Sequence, residues 1–283
     1  MLRIFFVLTF AIIASFIVLA QQPAASSDPK AHAQEVLKQA RAAIWDETKS
    51  KPLQSLTINA SSRGKLTSEI TLDALLPDKF IQTTSRSLGA AEFTSILTIN
   101  GTRAWSDFKQ PYVDDLVAAK SAMAGSGGAK SDDFGGKKVG GSGNSSSGAM
   151  PQISQEDLGR MLLAWLLITP GTLPVEFTYA GTAKADGKTA DVLDLNSTND
   201  RFATRLFIDQ QTHQLLMLTY QVPMPNTADK TEIRWVVSDY RSADGLTLPH
   251  RLTKSMGGQV NGEIQINKVK VNPSLKPSKF EKK

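Results

Sequence analysis

Apolar residues recur along this chain with two periods, and the switch between them outlines its architecture. From Asp28 the spacing is helical: Ala33, Val36, Leu37, Ala40 and Ile44 share one stripe, with Lys38, Gln39 and Arg41 outside it. Pro29 suits the first helical position. Asp28 or Ser27 suits the cap before it, because a short polar side chain there accepts a hydrogen bond from an unpaired helix N–H. This helix is expected to end near residues 45–48. The period then becomes two. Ile70, Leu72, Ala74 and Leu76 alternate with Glu69, Thr71 and Asp73 until Pro77-Asp78 breaks the run. Residues 80–88 read as a second strand, and Phe93, Leu97 and Ile99 as a third. Asn100-Gly101 predicts a tight hairpin turn, since both residues tolerate positive φ, with a return strand over 102–108.

Helical spacing returns once. Leu158, Met161, Leu162, Trp165 and Ile168 form a stripe that Leu163, Ala164, Leu166 and Leu167 widen until the segment is apolar almost all round. Such a helix must be buried on most sides. Ser154, with Asp157 three positions on, resembles a capping arrangement, and Pro170-Gly171 is expected to stop the helix. From Val175 onward the chain reads as a β-meander. Turns are expected at Asp186-Gly187, over 209–213, at Asp244-Gly245 and at Gly257-Gly258, and Pro273 and Pro277 end the regular structure. Short strands separated by Gly and Asp turns argue an α+β, mainly β protein with an antiparallel sheet, not parallel β-α-β units.

Two segments stand outside this pattern. Residues 1–20 carry Arg3, then an uncharged apolar run from Ile4 to Leu19, then Val18-Leu19-Ala20. That is a secretory signal with cleavage after Ala20; the alternative is an uncleaved N-terminal anchor facing the periplasm. Residues 21–27 form a flexible lead-in. Residues 121–148 hold nine of the twenty glycines and little apolar surface, so they read as a disordered excursion within a single domain over 28–283. Gly135-Gly136-Lys137-Lys138 lies there, but the G-x-x-x-x-G-K-[ST] pattern of a phosphate loop is absent.

Composition narrows the function. The chain has no cysteine, so disulfides, thiolate metal sites and acylation on an N-terminal cysteine are excluded. The net charge of +5, one less without Arg3, is dispersed and gives no nucleic-acid footprint. The densest basic run, Lys276, Lys279, Lys282 and Lys283, allows at most a peripheral membrane contact. His32, His213 and His250 lack ligand spacing, no G-x-S-x-G elbow occurs, and the carboxylate pairs Asp114-Asp115 and Asp132-Asp133 fall on flexible segments. No enzyme, cofactor or metal is expected. The apolar helix supports two readings. It is ordinary core, or it lines a cavity for an apolar ligand, with Leu158, Met161, Leu162 and Trp165 as candidate lining residues.

Several late motifs carry a resemblance. Leu206-Phe207-Ile208-Asp209 with Thr212 and Leu215-Leu216 looks like a strand, turn and return strand of the LolA/LolB-like superfamily, the outer-membrane lipoprotein-sorting-like periplasmic proteins. Ser238-Asp239-Tyr240-Arg241, Asp244-Gly245 and Leu248-Pro249-His250 resemble its next hairpin. Asn272-Pro273 and Phe280 resemble its closing segment, and Asn100-Gly101 before Trp105 fits an earlier hairpin. The resemblance implies an unclosed half-barrel, a curved antiparallel sheet wrapping two apolar-faced helices. It also implies non-catalytic periplasmic binding or carriage of a lipid, acyl chain or lipoprotein. The alternative is an envelope structural or protein-interaction module with a filled core and no ligand, because a fold does not determine a function.

Overall fold

The computed structural model describes residues 28–48, 51–64, 67–88, 91–109, 154–198, 202–224 and 228–282. The expected signal at 1–20, the lead-in at 21–27 and the excursion at 121–148 lie outside them.

Helix α1 (Pro29–Ile44) starts as its sequence requires: Asp28 is the cap, and its carboxylate accepts from the Lys30 N–H at 2.9 Å. Five strands follow: β1 (Ser55–Gly64), β2 (Ser68–Leu75), β3 (Lys79–Leu88), β4 (Ala91–Asn100) and β5 (Arg103–Lys109). Helix α2 (Gln155–Leu166) comes next, with the Ser154 hydroxyl accepting from the Asp157 N–H at 3.0 Å. Seven more strands complete the meander: β6 (Val175–Ala185), β7 (Lys188–Ser197), β8 (Ala203–Asp209), β9 (Leu215–Pro223), β10 (Lys230–Ala243), β11 (Leu246–Met256) and β12 (Gln259–Val271).

All twelve strands form one antiparallel sheet in the order β5-β4-β3-β2-β1-β12-β11-β10-β9-β8-β7-β6. Among the described residues the sheet does not close: β5 and β6 are its edges. It is the unclosed half-barrel wrapped around two helices that the sequence and its resemblance predict. The join between the two meanders is β1 with β12, which runs from Leu56↔Val271 to Gly64↔Gly262. Asn272, at φ 50, staples this join. Its Oδ1 accepts from the Gln54 and Ser55 N–H groups at 2.8 and 3.2 Å, and its Nδ2 donates to the Pro52 carbonyl at 3.1 Å.

Three local expectations shift. Strand β1 was not among the predicted strands, because Leu56, Ile58 and Ala60 alternate for only three steps before Ser61-Ser62-Arg63-Gly64. The first hairpin turn is one residue later than predicted. Asn100 pairs with Arg103, so Gly101-Thr102 is the loop, with Gly101 at φ 62 in the first central position, as a two-residue turn of the II′ kind needs. The turns at Asp186-Gly187, Asp244-Gly245 and Gly257-Gly258 fall as predicted, each with two positive φ values. Helix α2 stops at Leu166, before Pro170-Gly171, because Leu167 turns left-handed at φ 52. Arg41 holds that end: its Nε and Nη2 donate to the Leu167 carbonyl at 3.1 and 2.9 Å.

The core lies between the inner sheet face and the two helices. Helix α1 contributes Ala33, Val36, Leu37 and Ala40. Every residue of α2 from Leu158 to Leu166 is buried, as an all-round apolar helix requires. The sheet answers with Leu56, Ile58, Leu72, Phe80, Ile99, Leu206, Leu218, Trp235 and Leu252, among others.

Candidate functional site

Helix α2 separates two cavities on the inner side of the half-barrel. The first, of about 300 Å³, lies at its C-terminal end. Leu166 and Ile168 face Ile44 and Trp45 of the α1 terminus there, and Leu53, Leu76 and Pro77 close it from the sheet connections. The walls are therefore mostly apolar, with Arg41 and Glu47 at the edge. Arg41 also ties α1 to the end of α2 through Leu167, so the mouth of this cavity is bounded by a helix-to-helix hydrogen bond.

The second cavity, also about 300 Å³, lies at the N-terminal end of α2. Its floor is apolar, from Ile70, Met161, Trp235, Leu252 and Ile264. Its far side is polar because the inner-face positions of neighbouring strands change character along their length. On β3 the face runs Phe80, Gln82, Thr84, Arg86, and on β1 it runs Ile58, Ala60, Ser62. Gln82 is 3% exposed, and its Oε1 has no hydrogen-bond partner among the described residues. Arg86 donates to the Ser68 hydroxyl at 3.0 Å, and the Lys254 ammonium sits 5.7 Å from the Trp235 ring centre.

The four candidate lining residues divide. Met161 lines the second cavity. Leu158, Leu162 and Trp165 lie fully buried in the continuous core and line neither cavity. Sequence reasoning did not single out Arg41, Trp45, Gln82 or Arg86 as cavity residues. Ile44 and Ile168 were legible as members of the two helical stripes, but nothing in the periodicity says that the stripes part at one end.

The histidines are not brought together. His32 stacks on Tyr179 with ring centres 3.9 Å apart, His213 takes a turn position at φ 56, and His250 lies on β11. Burial, with Arg241 nearby, pushes the His250 imidazole below its ordinary pKa. No group of three or more metal-ligating side chains occurs among the described residues. None of the described helices is long and apolar enough to cross a membrane. The pairs Asp114-Asp115 and Asp132-Asp133 lie outside the described residues.

No protein-family pattern matches this sequence, and no curated protein matches it. Solved structures do. A DUF1329 family protein from Desulfovibrio piger superposes with a TM-score of 0.51 at 12% identity, over 90% of this chain and 98% of that one. A putative outer membrane lipoprotein-sorting protein domain from Vibrio parahaemolyticus superposes with a TM-score of 0.50 at 12% identity, over 88% and 97% of the two chains. At such identities the likeness is one of fold alone: this chain shares its overall architecture with both proteins.

Proposed function

We propose that this protein binds and carries a lipid, an acyl chain or the acylated end of a lipoprotein, without catalysis, in the periplasm after export. The observation that carries the reading is the apolar cavity between the ends of α1 and α2, walled by Ile44, Trp45, Leu166 and Ile168. Each methylene taken from water into such a cavity contributes about 0.8 kcal/mol, so a chain end binds there without a charged anchor. The lipoprotein-sorting name of the Vibrio neighbour agrees with this reading. In it, Leu158, Leu162 and Trp165 become lining residues when α2 shifts from the sheet and the two cavities join, with Met161 already at the second. A protein partner in the envelope delivers or receives the cargo.

The second reading, an interaction module with a filled core, is favoured by one observation: Leu158, Leu162 and Trp165 are fully buried in the core and line neither cavity. Native mass spectrometry of the protein purified from an envelope fraction, followed by titration with a fluorescent long-chain fatty acid, separates the two. Carriage predicts a co-purifying acyl mass, saturable probe binding, and a loss of affinity of at least about tenfold in Ile168→Glu, which puts a charge into the cavity from a half-buried position. A clean mass together with no saturable probe binding by the folded protein overturns carriage and leaves the filled-core module.

A further inference from the structure

The ladder between β8 and β9 does not run the length of its strands. Pairing stops at Arg205↔Thr219. On either side the sheet goes further, β7 with β8 to Asn196↔Ala203 and β9 with β10 to Pro223↔Lys230. The sheet is therefore split between residues 203–204 and 220–222. Arg160 of α2 sits on the inner side of this split, its guanidinium carbon 3.8 Å from the Tyr220 ring centre and 4.9 Å from that of Phe202. The split opens into a cleft of about 490 Å³. Arg205 and Asp194 belong to its rim and alternate with the core residues Leu206 and Leu193, so the cleft reaches the outer face of the sheet.

Arg160 is only 8% exposed, yet its charge is poorly answered. Its ion-pair partner, Asp157, is 3.8 Å away, beyond hydrogen-bonding distance, and its Nε has no partner among the described residues. The Thr204 hydroxyl beside the cleft is buried and also lacks a partner among the described residues. A guanidinium whose buried Nε–H has no acceptor is unfavourable unless something supplies one. Stacking on an aromatic face orients the plane of the guanidinium and leaves its edge N–H groups to bind an acceptor with two oxygens. Lys230 adds positive charge at the rim. The two acids there are already committed: Asp194 accepts from Arg205 at 2.6 and 2.9 Å, and Glu232 from Arg234 at 2.9 Å.

We propose that this split in the sheet is a binding site for an oxyanion, a carboxylate or phosphate group, gripped by Arg160 between Tyr220 and Phe202 with the Thr204 hydroxyl as second donor. The apolar cavity is lined from the far end of α2, so the proposal stands whether or not an acyl chain is carried. The test follows the Arg160 Nε–H resonance in a nitrogen–proton correlation spectrum of the full mature chain, identified by its absence in Arg160→Lys. Sodium phosphate and sodium acetate are titrated separately against sodium chloride at matched ionic strength. The expected result is a saturable shift that chloride does not produce. Saturation by phosphate alone assigns a phosphate ligand, and by acetate alone a carboxylate. Arg160→Lys keeps the charge but loses the planar fork, and it weakens binding, followed by calorimetry, by more than about tenfold; Thr204→Val weakens it less. Absence of a saturable shift with both salts, an equal shift with chloride, or unchanged binding in Arg160→Lys overturns the proposal.

Discussion

Two arginines on the two helices meet opposite fates. Arg41 stands at the surface of α1, and its guanidinium makes two hydrogen bonds to one carbonyl at the end of α2. Arg160 is buried beneath the sheet, and its Nε makes none among the described residues. Burial alone would predict the reverse, since Arg160 is the more buried residue and a charge removed from water needs partners, whereas Arg41 is only partly withdrawn from it. The first arginine therefore serves the fold: it satisfies a helix-terminal carbonyl, where the helix dipole favours a cation. The second is held by aromatic stacking, and its N–H groups are left for a ligand.

The contrast can be broken outright by removing the platform both arginines use. Leu162 is 0% exposed in the middle of α2, so Leu162→Asp buries a carboxylate in the core. A loss above about 4 kcal/mol is expected, seen as loss of the cooperative thermal transition in circular dichroism. Asp209 supplies the next comparison, as a buried charge that is fully answered. It accepts from the Gln211 N–H at 2.9 Å and pairs with Lys188 at 3.0 Å. Desolvation pushes its pKa up, but these partners outweigh it and hold the group below its ordinary value of 3.8. A lowered folded pKa gives stability that is present above 3.8 and lost as the pH falls through the folded value. Asp209→Asn is expected to cost about 2 kcal/mol at neutral pH, with the gap to wild type closing in acid, as urea unfolding across pH would show.

Smaller effects sharpen the contrast between the arginines themselves. Arg41→Met removes two hydrogen bonds at a solvent-accessible site, and about 1 kcal/mol of stability should go with them in urea titration. Arg160→Met removes a buried charge with little to lose. Its unfolding free energy without added anions should stay within about 0.5 kcal/mol of wild type or rise above it. A large destabilisation by Arg160→Met would mean that the stacked guanidinium is structural after all.

How far the sequence spoke depended on how local each signal was. Both caps were legible, because Asp28 and Ser154 bind N–H groups two or three residues away. The turns at Asp186-Gly187 and Asp244-Gly245 were legible because positive φ is a single-residue property. The Gly101-Thr102 loop was displaced by one residue because Asn100 also suits a turn, and register along the whole hairpin decided between them. Strand β1 was obscured because Ser62 faces a polar cavity on the inner side, where alternation predicts an apolar residue. The all-round apolar character of α2 announced burial, but the same composition serves packed core and cavity wall alike.

The residues by themselves determined an antiparallel, mainly β chain with two buried-face helices, since hydrophobic period, caps and turn chemistry act over a few positions. Tertiary structure alone decided that β1 pairs with β12, that the cavities lie at the two ends of α2, and that β8 and β9 part over Arg160. Each of these joins residues far apart in the chain, and the energies that select them come from side chains meeting across the sheet, which no local pattern records.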